Sequence, residues 1–425
     1  MSGTTFYTHA IGAPKSMASA ATNQTQPRPQ RNLYVQMGRS MLYGLRENMV
    51  RTIWQPFALS LGASMPLLGL LESLGGFWGI VPTLMQPLGG WISDRRGRKP
   101  LVLLGTTFST LGLSVLVLAG WTHNWLWLLP GIALLGGLAI AFPALDSLTA
   151  ESAVPEARGR AFSLTNTFYA LAGVVAPTLG GLLAQRSGFL SVLIAGTALE
   201  ALTLVALTAL LRETIKPQDR RKLDVAESLD MVRTLLTPPD RLRGFYIAIT
   251  VDAIAYGTGY SLLFGLLSRS YGFTPVQLGL MSSACSLTWA ASQWTFGKQV
   301  DKRGTVPFMI FSELLAVVIM IAWLFVRSFP AFLVLHALWG INLAAWMPAF
   351  LAWVTNSVTD KERAQEMGRL AAFRGLIAFP APYVGGLLYN AFGFRGPILF
   401  NIVGALIVIF ILWRWVGEPH RPLAS

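Results

Sequence analysis

Gly90-Trp91-Ile92-Ser93-Asp94-Arg95-Arg96-Gly97-Arg98-Lys99 places one acid and four basic side chains on a turn between two apolar runs, near 68–92 and at Leu101–Gly120. The second run holds no charge over a length that suffices for a bilayer-crossing helix. A weaker copy follows 207 residues later: Gly297 corresponds to Gly90, and Asp301-Lys302-Arg303-Gly304 to Asp94 to Gly97. A second string behaves alike. Ala176-Pro177-Thr178-Leu179-Gly180-Gly181-Leu182-Leu183 recurs 205 residues later as Ala381-Pro382-Tyr383-Val384-Gly385-Gly386-Leu387-Leu388. Each copy ends in Gly-Phe, at 188–189 and 393–394, and Arg158 falls on Arg363. Chance likeness between apolar helices explains Leu-Leu but not the whole Ala-Pro-x-x-Gly-Gly-Leu-Leu string. Half-length repeats in the same direction imply halves related by an axis along the membrane normal.

The rest of the chain agrees. Of 425 residues, 53% are hydrophobic and 12% charged, with mean hydropathy +0.53. A soluble domain carries roughly a quarter charged residues. Further apolar stretches lie near 126–150, 161–185, 189–211, 307–326, 330–355, 370–390 and 396–416; three with more polar residues lie near 33–60, 244–267 and 276–297. The count is twelve spans, an all-α membrane protein of two pseudo-symmetric six-helix bundles.

The net charge of +13 is placed for a membrane, not for nucleic acid. Basic residues crowd alternate loops: Arg95 to Lys99, Arg158 and Arg160, Arg212 to Arg243, Lys298 to Arg303, and Lys361 to Arg369. The intervening loops carry about one each: His123, Arg186, Arg269, Arg327 and Arg395. This positive-inside pattern puts both termini in the cytoplasm and the protein in the inner or plasma membrane. Residues 1–32 read as a disordered cytoplasmic tail, without a signal-peptide core. The expected bundles cover 33–212 and 244–416. Between them, 213–243 forms a cytoplasmic linker, whose Val225, Leu229, Val232 and Leu236 predict an amphipathic helix over 224–236; 417–425 is a second cytoplasmic tail. Cys285 is the single cysteine, which excludes an internal disulfide and a cysteine metal site. Trp121, Trp125, Trp127, Trp413 and Trp415 read as interfacial anchors.

The Gly90–Lys99 stretch resembles the major facilitator superfamily, whose loop between spans 2 and 3 reads G-x-L-A-D-R-x-G-R-K. Gly90, Asp94, Arg95, Gly97, Arg98 and Lys99 match, and with the weaker copy at Asp301 the resemblance covers about 33–416. It implies a fold that rocks around a central cavity. It also implies that Asp94 faces the N-terminus of span 11, near Glu366–Leu370, latching the cytoplasmic side shut in the outward-open state. The physics of the loop agrees: Gly90 is expected to let a neighbouring helix approach, and Asp94 to meet a helix's positive end. Pro177, Gly180 and Gly181, like Pro382, Gly385 and Gly386, resemble the span-5 signature G-x-x-x-G-P-x-x-G-G of drug antiporters, with Ala172 and Ala176 in place of two glycines. Apart from any name, the proline breaks one backbone bond and the glycines allow close packing, so a kinked helix at the boundary between halves is expected. The arginine such antiporters carry in span 4 is absent from Leu128–Gly137, which speaks against proton coupling by that route.

Ionisable residues at membrane depth are functional candidates by default. Span 1 holds Arg46, Glu47 and Arg51, with Gln55 below. Glu47 and Arg51 have the spacing of an intrahelical pair, and the cluster is expected to face the cavity. It either binds an anionic group, or carries a proton on Glu47 with Arg51 tuning it, or is a structural salt bridge. Span 7 offers Asp252, with Tyr256 and Tyr260 on the same stripe, and span 11 offers Arg374 as a possible partner. Glu200 and Glu313 fall on spans that the fold puts at the periphery, and Asp146 is grouped with Glu151 and Arg158. Trp289, Gln293, Trp339, Asn342 and Trp346 are expected on the cavity wall, or in packing; many aromatics with few polar groups suit an amphipathic substrate.

No phosphate loop, metal-ligand spacing or nucleophile elbow is present, so an enzyme is not expected, nor any cofactor. The reading is a monomeric secondary transporter working by alternating access, a proton-coupled exporter of amphipathic, drug-like small molecules. The alternatives are a carrier of organic anions, or of lipids with anionic headgroups, using Arg46, Arg51 and Arg374, and a non-transporting sensor of the same fold.

Overall fold

The computed structural model describes residues 30–215, 237–359 and 362–419. They form twelve long helical segments: α1 Gln30–Ser60, α2 Met65–Arg96, α3 Arg98–Thr122, α4 Trp125–Glu151, α5 Arg158–Ser187, α6 Phe189–Leu210, α7 Asp240–Tyr271, α8 Pro275–Arg303, α9 Val306–Phe325, α10 Phe329–Ser357, α11 Gln365–Phe392 and α12 Arg395–Trp415. Ten are long and apolar enough to cross a bilayer; α1 and α8, richer in polar residues, complete the twelve. The expected helix over 224–236 lies outside the described residues, as do 1–29 and 420–425.

The near face is the one on which α1 begins and α12 ends; the opposite one is the far face. Local chemistry sets the turns. On the far face Thr274 caps α8 through a reciprocal box with Gln277, with Pro275 at the first helical position. On the near face Gly97 and Gly304 adopt φ of 108° and 95°, a region that side chains disfavour. Each starts a helix whose first amides are capped by a carboxylate from the end of its own half. Glu213 accepts from the Arg98 and Lys99 amides at 2.9 and 3.1 Å. Glu418 accepts from those of Thr305 and Val306 at 2.9 and 2.8 Å. The helix dipole adds to each cap.

Within one half α1 packs on α5 and α6, and α3 on α4 and α6; within the other α7 packs on α11 and α12, and α8 and α9 on α10. Between halves α5 meets α8 and α2 meets α11. The buried apolar residues divide unevenly along the membrane normal. One cluster, including Phe57, Leu68, Leu278 and Phe332, joins both halves. Toward the near face it gives way to two separate clusters, around Leu101 and Leu148 in one half and Phe245 and Trp353 in the other. The halves therefore share one core at the far end and part at the near end.

The closing seam is built from the repeated Gly-Gly strings. Gly180 packs on the Met49 backbone of its own half, and Gly181 on the Pro275 carbonyl of the other. Gly385 packs on Thr258 of its own half, and Gly386 on the Met65 carbonyl of the other. A Cβ at any of the four would fall inside van der Waals contact with backbone. The carbonyls of Pro177 and Pro382 meet Gly279 and Gly69 in the same crossed manner. With lipid outside, such close backbone approach drives helix association more than burial from water does. The four-helix seam also holds a Thr178–Ser283 hydroxyl bond at 2.8 Å and a Tyr383 amide bond to Ser73 Oγ at 3.2 Å.

Candidate substrate cleft and gates

Arg46 is buried, 2% exposed, and does not line the cleft as expected. Its Nε donates to Glu200 at 2.9 Å, its Nη1 to Glu47 at 2.5 Å and its Nη2 to Ser109 at 3.1 Å. Glu47 pairs with Arg46 rather than with Arg51: Arg46 points at α3 and α6, while Arg51, about 140° further round the helix, faces the inner side. Glu200, on the span expected at the periphery, is 2% exposed because its side chain faces inward to Arg46 of α1. Tyr43 stacks beneath the guanidiniums of Arg39 and Arg46, 4.5 and 4.8 Å from its ring centre.

Arg51 is exposed although protein surrounds it, so its guanidinium opens into the space between the halves; Glu47, 28% exposed, borders the same space. Among the described residues no carboxylate lies within ion-pair distance of Arg51. The same holds for Arg374: it and Asp252 feel each other electrostatically but make no ion pair. Arg374 instead lies over the Trp78 ring at 4.6 Å, with Phe350 beyond at 5.9 Å, and its Nε is buried without a hydrogen-bond partner. Trp78 meets Tyr256 edge-on at 5.0 Å, and its own Nε1 lacks a partner. Trp78 was not singled out in the sequence; the signal was Gly75-Gly76 and Gly79 around it, which interrupt α2 and turn the indole inward.

The aromatic candidates divide. Tyr256 and Tyr260 stay on one stripe of α7, but Tyr260 stacks on Trp339 at 4.3 Å, and Trp339 on Trp323 at 5.4 Å. Trp339 is 3% exposed, part of a packed column. Asn342 is likewise not on the wall: its Nδ2 donates to the Ser312 carbonyl at 2.5 Å and its own carbonyl accepts from Ser312 Oγ at 3.1 Å, tying α10 to α9. Trp289 and Trp346 are half-buried and Gln293 is exposed. Glu313 is buried on α9, where its electrostatic neighbour is Asp252. Asp146 is exposed and feels the charge of Arg39; Glu151 instead bonds Arg98 at 3.2 Å.

At the near face the Gly90–Lys99 turn is not latched onto α11. Asp94 is 61% exposed and bonds Arg98, its own neighbour one turn on. Lys99 reaches the Thr208 carbonyl at 2.8 Å, Arg95 the Trp91 carbonyl at 3.0 Å, and Asp301 is exposed. The tight approach expected at Gly90 occurs at Gly89, against the Ile140 carbonyl; Gly90 has only ordinary contact with Pro143. The seam between α2 and α11 extends to Thr83 against Gly375, about midway along both helices.

At the far end Gln55 crosses the seam: it donates to Glu72 and to the Ser261 carbonyl, and accepts the Gly265 amide. Gln55, expected on the cavity wall, thus bridges the two halves at the far end. Glu72 was passed over in the sequence because one acid in Leu67–Leu74 leaves the run apolar. Among the described residues no cluster suited to a metal ion occurs.

Comparison with known proteins fits this architecture. The family model described as Major Facilitator Superfamily matches residues 40–267 and again 245–425. The chain is 26% identical over 346 residues to "Multidrug resistance protein MdtG" of Serratia proteamaculans (strain 568), covering 80% of this chain and 81% of that one. To the protein of the same name from Rahnella sp. (strain Y9602) it is 24% identical over 426 residues, covering 96% and 100%. Among solved structures, a bacterial homologue of the human lysosomal transporter Spinster, inward-facing and unoccupied, superposes with TM-score 0.71 at 15% identity, covering 92% and 97%. The human organic anion transporter MFSD10 superposes with TM-score 0.65 at 19% identity, covering 91% and 100%. At these identities the structures speak for the fold alone. With both halves matched by the family model, the chain belongs to the Major Facilitator Superfamily and is a multi-pass membrane transporter, not an enzyme.

Proposed function

We propose that this transporter exports amphipathic, drug-like small molecules by alternating access, in exchange for protons. The observation that carries the reading is the uneven division of the core: one shared body at the far end and two at the near end, with Arg51, Glu47, Trp78 and Arg374 between them. An aromatic cleft with few polar groups suits an amphipathic ligand better than a sugar, which demands many hydrogen bonds. The relatives named as multidrug resistance proteins support the direction of transport.

The near face is assigned to the cytoplasm, since the basic loops cluster there, and the bilayer to the inner membrane. The bundles 33–212 and 244–416 rock as two bodies about the cleft, tethered by 213–243, in a monomer. The present arrangement is then cytoplasm-open, with the Asp94 latch undone. Glu47 or Asp252 is the proton-carrying carboxylate of the cleft.

The experiment uses inverted membrane vesicles, acid inside, with a fluorescent lipophilic cation. Accumulation driven by the protein and lost on dissipating the pH gradient supports the reading; uptake equal to empty vesicles sinks it. A second reading, transport of organic anions, is favoured by Arg51 and Arg374, two cations without an ion-pair partner in the cleft. Competition by an aromatic carboxylate, lost in Arg374→Ala, would separate it from the first.

A further inference from the structure

The Gln55 amide sits inside the backbone ladder of α7. Its Nε2 donates to the Ser261 carbonyl at 2.7 Å and its Oε1 accepts the Gly265 amide at 2.8 Å. In an unbroken helix those two backbone groups would bond each other. Here α7 breaks at Gly259 and passes through a 3-10 turn, Tyr260–Leu262. A side chain of one half thus completes the backbone of the other. At membrane depth such groups need a partner, from protein or from water in an open cleft.

The same Nε2 donates to Glu72 Oε1 at 2.6 Å. Glu72 is half-buried, with the Trp54 indole beside it. The charged groups facing it are Arg51 and Glu47, both on α1, and neither makes an ion pair with it. α4 offers no titratable group in Leu128–Gly137, α11 offers Tyr383 and Tyr389, and α7 offers Tyr256 with Asp252 deeper. Ser73, the next residue, accepts the Tyr383 amide across the seam, so this turn of α2 is bonded directly to α11 and, through Gln55 of α1, to α7.

We propose that Glu72 is a proton-binding residue of the far-side gate, whose neutral form favours closure and whose ionised form favours opening. Closing the seam strips water from a carboxylate that no cation touches, which is costly for the ionised form. The protonated form keeps a carbonyl oxygen to accept from Gln55. The closed gate therefore holds the proton more tightly, and by linkage protons drive the gate shut. The inference rests on the proton-exchange reading above and supplies its closing step. A proton from the far compartment forms the O–H of Glu72 as the seam closes, and leaves it into the cleft when the near side is open.

The test reads closure away from Glu72. In a Cys285→Ala background, Thr178→Cys and Ser283→Cys replace two hydroxyls 2.8 Å apart on the other side of the seam. Oxidative crosslinking then measures the closed fraction. The Glu72→Gln variant, held neutral, is the reference at each pH, so the pH dependence of thiol chemistry cancels in the ratio. As pH falls from about 8 to about 5.5, spanning buried and free carboxylates, the ratio of native to Glu72→Gln crosslinking should rise several-fold toward one. Glu72→Asp, which still titrates, should keep the rise. A ratio that does not change with pH overturns the proposal. Probe efflux in the same vesicles separates the two claims: efflux indifferent to the pH gradient, with the crosslinking ratio still following Glu72, sinks proton exchange and leaves the gate.

Discussion

Arg46 Nε lies 2.9 Å from Glu200 Oε2, a buried contact between residues 154 positions apart that ties α1 to α6. With Glu47 on its other nitrogen, the guanidinium is locally neutralised. Removing Arg46 leaves Glu200 buried and unpaired, which costs about 3–5 kcal/mol, whereas removing Glu200 leaves Arg46 its Glu47 partner and costs less. Arg46→Ala should therefore lower the melting temperature in detergent and the folded yield, rather than alter substrate competition selectively. Glu200→Ala should do the same to a smaller extent. Native-like melting in Arg46→Ala would sink this structural role.

The seam supplies a second prediction. A methyl group at Gly181 or Gly386 would meet a backbone carbonyl of the opposite half, whereas Gly297 has nothing within 4 Å of where its Cβ would stand. Overpacking of this kind costs about 1–3 kcal/mol. The collision exists only while the far side is closed, so it shifts the balance toward an open far side. Gly181→Ala and Gly386→Ala should increase labelling of a cysteine at Ser283 from the far compartment, by about 5- to 150-fold for that energy. Gly297→Ala should match the native protein. Equal labelling in all three would mean that the glycines serve assembly and not gating.

How far the sequence carried these conclusions depended on the range of the interaction. The two halves, the spans and the near-face turn were legible because they rest on composition, periodicity and repetition, all local or self-comparing signals. The seam was half legible: Pro177 and Gly181 marked a kinked interface, but only packing revealed that Gly180 faces its own half and Gly181 the other. Partners were not legible. Arg46 has two polar partners on two distant helices besides Glu47, and helical spacing alone favoured Glu47 with Arg51. Asn342 and Trp339 looked like wall residues because rotation of a long helix about its axis is not fixed by an apolar surface that faces lipid on one side and protein on the other. Glu213 and Glu418 had a usable signal: they stand 205 residues apart, like the Gly-Gly strings, each just after the last span of its half.

The near-face turn gives a third prediction. In the present arrangement Asp94 is exposed and bonds Arg98, and an exposed pair of this kind contributes about 0–1 kcal/mol. Asp94→Asn should leave the melting temperature almost unchanged. If Asp94 meets the N-terminus of α11 when the near side closes, the same variant should lose most transport, because the closed near side is no longer favoured by the helix dipole. Arg98→Ala separates the roles, since it removes the observed bond and leaves the proposed one. Transport retained in Arg98→Ala but lost in Asp94→Asn supports the latch; equal losses would reduce Asp94 to a partner of Arg98.

The cleft itself yields the last prediction, because among the described residues its two guanidiniums without an ion-pair partner, Arg51 and Arg374, oppose a cationic cargo such as the probe. Arg374 lies over Trp78 at 4.6 Å, the ring best suited to receive a flat cation. A lipophilic cation entering the cleft competes with Arg374 for that face and is repelled by its charge; an anionic amphiphile gains from both Arg374 and Arg51. Arg374→Gln should therefore lower the concentration of a lipophilic cation needed for half-maximal transport. A cation–π contact is worth about 0.5–2 kcal/mol, which corresponds to roughly 2- to 30-fold. The same variant should weaken competition by an aromatic carboxylate of similar size. Trp78→Leu should reverse the gain for the cation while leaving the carboxylate's residual competition through Arg51. If Arg374→Gln weakens the cation as well, the guanidinium is not a rival for the ring but a positioning group for it, and the cleft takes its cargo elsewhere than on Trp78.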